Sequence, residues 1–147
     1  MKKIKKLLAA SLFILPVFSS AWAHPMVELT MAGYSSTAEW DQMHVYVYGY
    51  KKLYSDQLTF LCGMSNQTYT KGQGEVSVQG CYTTQNIIPS RYFIDIEVTK
   101  NGVRLGGWSY GHIVDNTNDK PLCKIKITFP HALTGPGSNP IITGCHA

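Results

Sequence analysis

The chain carries little charge, and beyond its first residues it favours neither sign. Only 15% of the residues are Asp, Glu, Lys or Arg; four of the 13 bases are Lys2, Lys3, Lys5 and Lys6, whereas all nine acids come later. The formal net charge of +4 therefore belongs to the start of the chain, and nine bases balance nine acids in the rest. No Lys/Arg run or basic stripe survives there, which removes nucleic acid and anionic membrane surfaces as partners. Long hydrophobic runs are scarce as well. The apolar stretch from Leu7 to Phe18 is broken by Pro16, and nothing later approaches the roughly 20 apolar residues a membrane span needs, so no membrane insertion is expected. No C-x-x-C pair offers the close cysteines of a zinc site. Nor does any 12-residue window sustain the i, i+3, i+4, i+7 stripe of an amphipathic helix. Internal repeats, low-complexity runs and linkers are missing too.

What is there begins with an address. Lys2 to Lys6 form a charged start, Leu7 to Phe18 an apolar middle, and Ala21-Trp22-Ala23 a small-residue cleavage site. Residues 1–23 therefore read as a signal peptide, and residues 24–147 as a single domain, secreted or periplasmic, whose first residue is His24. The first cysteine is Cys62, so no residue near the cut would take the lipid of a bacterial lipoprotein.

Four cysteines, Cys62, Cys81, Cys123 and Cys145, form an even set in a chain bound for an oxidising compartment, which favours two disulfides. Three pairings are open. The preferred one joins Cys62 to Cys81 and Cys123 to Cys145, each closing a short loop around a hairpin-like segment.

Apolar residues alternate with polar or aromatic ones in Met26 to Ala32, Met43 to Tyr50, Leu58 to Gly63, Gln67 to Tyr69, Glu75 to Gln79, Tyr92 to Lys100, Val103 to Tyr110, Lys124 to Phe129 and Ile141 to Cys145. Gly, Pro and Asn clusters separate them. The expected fold is all-β: an antiparallel β-sandwich of immunoglobulin-like architecture, with about 7–9 short strands and two disulfides.

Asn101-Gly102 supplies the positive φ angles of a type I′ turn and sets a hairpin register. That register pairs Lys100 with Val103, Ile96 with Gly107, Asp95 with Trp108 and Phe93 with Tyr110. Ile94, Ile96, Val98, Val103 and Leu105 then share a core face, while Phe93, Asp95, Glu97, Arg104, Trp108 and Tyr110 share the other. The same parity puts Met43, Val45 and Val47 on one side of their strand and His44, Tyr46, Tyr48 and Tyr50 on the other.

Three features bear on chemistry. Gly107-Trp108-Ser109-Tyr110-Gly111 fits G-x-S-x-G and resembles the nucleophile elbow of α/β-hydrolases, which would imply a serine hydrolase. That elbow needs a strand turning into a helix, whereas here the segment is the return strand of a hairpin followed by turn residues. An N-terminal His24, export and a β-sandwich are together similar to secreted copper proteins such as lytic polysaccharide monooxygenases. The resemblance implies copper held by the terminal amine and imidazole of His24; the chain offers His112, and also His44, His131 and His146, as candidate second ligands. Pro25 removes the next amide as a ligand. The third feature is aromatic. Tyr46, Tyr48 and Tyr50, and Trp108 and Tyr110 beside Phe93, give large contact area with polar tips, suited to a glycan or a protein partner. Asp115 to Asp119 is oxygen-rich but lacks the Gly and distal Glu of an EF-hand, and reads as a turn. The expected role is an exported, non-enzymatic binding module that presents an aromatic face and needs no cofactor. A copper protein, conceivably an oxidase, is the second reading and a serine hydrolase the third.

Overall fold

The computed structural model describes residues 23–33, 37–53, 56–84 and 86–145, with the backbone alone at 106–110. The alternating sequence pattern becomes eight strands, and no helix occurs among the described residues. They are β1 (His24–Ala32), β2 (Gln42–Lys52), β3 (Leu58–Thr70), β4 (Val76–Thr83), β5 (Arg91–Lys100), β6 (Val103–Asp115), β7 (Cys123–Thr128) and β8 (Ile141–Gly144). Two four-stranded sheets pack face to face: a first sheet in the order β4-β1-β7-β8 and a second in the order β3-β2-β5-β6.

The expected sandwich is present with one departure from antiparallel pairing: β1 runs parallel to β7, Val27 facing Cys123 and Ala32 facing Thr128. Every other ladder is antiparallel. The two segments read as separate strands at Leu58 to Gly63 and Gln67 to Tyr69 are one long strand, β3, with register shifts against β2.

Inward-facing residues of both sheets fill the core, among them Val27, Leu29 and Met31 of β1, Val45 and Val47 of β2, Ile94, Ile96 and Val98 of β5, and Ile125 and Ile127 of β7. Trp40, which precedes β2, is fully buried. Its ring lies 6.1 Å from that of Tyr69 and 5.8 Å from that of Phe129, and its Nε1 donates to the Pro130 carbonyl at 2.7 Å. The indole thus hides its apolar body and satisfies its one polar atom.

Both preferred disulfides are present, Cys62–Cys81 and Cys123–Cys145. They do different jobs. Cys123–Cys145 closes the β7–β8 hairpin, whereas Cys62–Cys81 joins β3 to β4, which belong to different sheets, and so staples the sandwich where the chain crosses over.

Asn101 (φ 52°) and Gly102 (φ 72°) form the expected turn, and Lys100 faces Val103. Beyond it the expected register fails. Where β5 spends only Val98, β6 spends Leu105, Gly106, Gly107 and Trp108, so that Glu97 faces Ser109. Asp95 then faces Gly111 rather than Trp108, Phe93 faces Ile113 rather than Tyr110, and Ile96 faces Tyr110 rather than Gly107. The two adjacent glycines are the physical reason, since backbone without Cβ atoms tolerates the extra residues of a bulge on an edge strand. Val103, expected in the core, is 64% exposed because the hairpin tip projects past the packed layer.

A clasp fixes that tip. Asp41, just before β2, accepts from the Asn101 amide through Oδ2 at 2.6 Å and pairs with Lys71 Nζ through Oδ1 at 2.9 Å. These bonds hold the Asp41 carboxyl below its usual range. One side chain therefore ties the β5–β6 turn to the β3–β4 turn.

Candidate functional site

The outer face of the second sheet is where the alternation of β2 becomes chemistry. Val45 and Val47 are fully buried, so Tyr46, Tyr48 and Tyr50 point away from the core, each half-buried. Facing residues line up in rows across the sheet. Tyr46 faces Asp95, which faces Gly111; Gly63, Tyr48, Phe93 and Ile113 form the next row; Phe60, Tyr50, Arg91 and Asp115 the one after. Tyr50 is the hub, 5.6 Å from the Phe60 ring and 5.1 Å from the Phe93 ring, edge to face with both. Phe60 and Ile113 stay 54% and 49% exposed. Burial, then the Asp95 carboxylate, holds the Tyr48 phenol above its ordinary value. Glu97 pairs with Arg104 at 3.2 Å, and His44 Nδ1 lies 3.1 Å from both Asn66 Oδ1 and Thr68 Oγ1.

The outer face of the first sheet is of the opposite character. Glu28 pairs with Lys124 at 3.7 Å, Glu75 with Lys126 at 2.9 Å, and Thr30 Oγ1 lies 2.8 Å from Ser77 Oγ. Tyr82 (54% exposed) and Ile141 (63% exposed) lie on the edge strands β4 and β8 of that sheet, so its central strands present a polar lattice, whereas the second sheet gathers Tyr46, Tyr48, Tyr50 and Phe93 on its two central strands.

An open cleft of about 460 Å3 lies at the end of the aromatic rows, lined by Lys51, Lys52, Ser90, Arg91, Asp115 and Asp119 among others. Arg91 Nε donates to Asp115 Oδ1 at 2.9 Å, Lys51 Nζ to Asp119 Oδ1 at 3.3 Å, and Lys52 lies 3.8 Å from Asp56. Asn116, fully buried, holds the wall in place. Its Nδ2 donates to the Pro89 and Lys120 carbonyls at 2.9 and 3.0 Å, and its Oδ1 accepts from the Lys120 amide at 2.9 Å. Its amide bonds to the Ser90 carbonyl at 2.8 Å, and the Ser90 amide to the Tyr50 carbonyl at 3.0 Å. The floor of the cleft is therefore bonded directly to the aromatic strand.

The chain matches no family model. No curated protein matches it at a significant level either. What the site does has to come from its own chemistry.

The residues singled out from sequence fall into three groups. Tyr46, Tyr48, Tyr50 and Phe93 are brought together on one outer face. Trp108 and Tyr110 lie outside the residues whose side chains are described, and Ser109 with them. Their backbone, and that of the whole G-x-S-x-G segment, runs inside the edge strand β6, with no helix following among the described residues. His24 and His112, both exposed, sit on strands of different sheets, His24 facing Thr83 and His112 facing Ile94. Among the described residues no three His, Cys, Asp or Glu side chains gather as a metal site. His24 instead borders a cleft of about 380 Å3 with Pro25, Met26, Asn86, Ile88 and Leu122.

Phe60, Ile113 and the charged cleft went unnoticed in the sequence. Phe60 had a readable signal, since it shares the parity of Leu58 on a strand paired with β2. The Asp115–Asp119 segment, read as a bare turn, forms one wall of the cleft.

Proposed function

We propose that this protein is an exported, non-enzymatic binding module that holds a glycan or protein partner against the outer face of the β3-β2-β5-β6 sheet. The observation that carries this reading is the asymmetry of the two outer faces. A sandwich buries one side of each sheet for stability and leaves the other to water, and the β4-β1-β7-β8 sheet does so across its centre with ion pairs and hydroxyls, its exposed Tyr82 and Ile141 standing apart on opposite edge strands. The second sheet spends the same solvent-facing positions on Tyr46, Tyr48, Tyr50, Phe60, Phe93 and Ile113. A contiguous aromatic patch on a small protein is the usual mark of an interaction site. Export is supported by the leader-like pattern of residues 1–23 and by two disulfides, which persist in oxidising compartments.

The test compares wild-type protein with the triple variant Tyr46→Ser, Tyr48→Ser, Phe93→Ser and with Lys124→Ser, Lys126→Ser on the opposite face. All three are applied to a glycan array and to an extract of extracellular proteins. Binding lost in the aromatic variant and kept in the lysine variant supports the module. Equal binding by all three, with folding verified by circular dichroism, overturns it.

A further inference from the structure

We infer that the cleft between Lys51, Arg91 and Asp119 is a subsite for a neutral saccharide whose next ring lies on Phe60. The inference rests on the binding-module reading and gives it a substrate class.

Three observations converge. The first is charge. Lys51 and Arg91 meet Asp119 and Asp115 within the cleft, and Lys52 at its rim lies 3.8 Å from Asp56, which is fully exposed and outside the lining, so most of the positive charge of the cleft is compensated in place. A phosphate or sulfate entering it would meet a carboxylate beside Lys51 and beside Arg91, and an ammonium group would meet a cation beside Asp115 and beside Asp119. A neutral polyol meets neither repulsion. Paired ions keep much of their hydrogen-bonding capacity: a guanidinium has five N–H donors and Arg91 spends its Nε on Asp115, while a carboxylate retains lone pairs on both oxygens. With Ser90 and Thr117 also in its lining, the cleft sets donors and acceptors side by side, the pattern that adjacent sugar hydroxyls present in return.

The second observation is rigidity. The wall from Asn116 to Asp119 is fixed by the buried Asn116 side chain and by the Asp119 amide, which bonds to the Asn116 carbonyl at 3.2 Å. Asp119 itself sits in the left-handed region at φ 46°, a conformation that Asp tolerates better than most residues. Weak, repeated hydroxyl contacts require such preorganisation, because ordering the site on binding would consume their free energy.

The third is continuity. Phe60, Tyr50, Arg91 and Asp115 form one row across the sheet, so the aromatic surface and the cleft are adjoining parts of one surface. The edge-to-face contact with Tyr50 braces the Phe60 ring, which stays more than half exposed, an apolar plane for the C–H face of a sugar.

The experiment applies the protein to an array of neutral, sialylated and sulfated oligosaccharides, and then titrates the best-bound neutral one into wild type, Phe60→Ala, Asp115→Asn and Lys126→Gln. The inference expects neutral oligosaccharides to bind, with affinity falling at least about tenfold in Phe60→Ala and in Asp115→Asn, and unchanged in Lys126→Gln. Phe60 is more than half exposed, so its variant keeps the fold. Absence of neutral binders, binding confined to sialylated or sulfated glycans, or neutral binding indifferent to Phe60→Ala each overturns it. If no glycan binds while a protein partner is captured and released by the Tyr46, Tyr48, Phe93 substitutions, the saccharide subsite falls and the binding module stands. If neither class binds, both fall.

Discussion

Truncating Phe60 separates a surface kept for contact from a surface kept for stability. The ring is 54% exposed and touches Tyr50 at a centroid distance of 5.6 Å. Full burial of such a side chain is worth about 1.5–3 kcal/mol, and just under half of this ring is covered, so the transfer loss is about 1 kcal/mol. The edge-to-face pair adds about 0.5–1.5 kcal/mol. No cavity forms, because the site opens to water, and Phe60→Ala should therefore cost about 1.5–2.5 kcal/mol. Ile96, fully buried in the same sheet, should lose about 2–5 kcal/mol on truncation to Ala, since its removal leaves a void the packed layer cannot close. Urea melts at neutral pH with the disulfides intact give both values from the shift of the midpoint, provided the slopes agree. A double-mutant cycle with Tyr50→Ala should return about 0.5–1.5 kcal/mol of coupling, the share belonging to the ring pair. Equal losses for Phe60→Ala and Ile96→Ala, or a coupling near zero, would refute the idea that Phe60 is a braced but solvent-facing platform.

Three further outcomes follow from the same structure. Trp40→Phe should destabilise by about 1–3 kcal/mol in urea melts, because the buried Pro130 carbonyl loses the donor that bonds it at 2.7 Å. Asp41 has its folded pKa depressed below the ordinary 3.8, first by the Asn101 amide and then by Lys71, so its contribution to stability is present above 3.8 and lost as pH falls through the folded value. Asp41→Asn should therefore flatten the acid limb of the stability curve, and NMR titration of the wild-type carboxyl should show a midpoint below 3.8; an ordinary midpoint would contradict the clasp. Removing either disulfide by paired Cys→Ala substitution should cost about 2–4 kcal/mol, and thiol titration of the unfolded, unreduced protein should find no free thiol.

Local chemistry was legible in the chain, and long-range geometry was not. Asn101-Gly102 declared its turn because few other dipeptides accept two positive φ angles, and the strict alternation of Val and Tyr in β2 fixed which side chains face out. Both disulfide partners were recovered, although for Cys62–Cys81 the reason was a crossover between sheets and not a hairpin. The register of β6 was lost at Gly106-Gly107, where the absence of side chains was itself the warning of a bulge. Nothing local marks the pairing of β1 with β7, since a parallel ladder between distant segments has no turn to announce it. The cleft was hidden for a similar reason. Lys51, Ser90, Arg91 and Asp119 come from three separate stretches of chain, which strand pairing and the hydrogen bonds of a buried asparagine bring together.

The parallel pairing of β1 with β7 has a kinetic meaning. β1 is an inner strand, with β4 on one side and β7 on the other, so the first described strand is the keystone of its sheet. Half of its hydrogen bonds must wait for residues that are made nearly last. The β2–β3 and β5–β6 hairpins can form as soon as each is synthesised, whereas the other sheet is completed only by contacts of the highest sequence separation, the kind that slow folding to milliseconds or longer. A chain threaded across a membrane from its amino end would thus carry β1 unpaired on the β7 side until the final quarter arrived. Cys123–Cys145, sited in that final quarter, would seal the completed sheet after the fact.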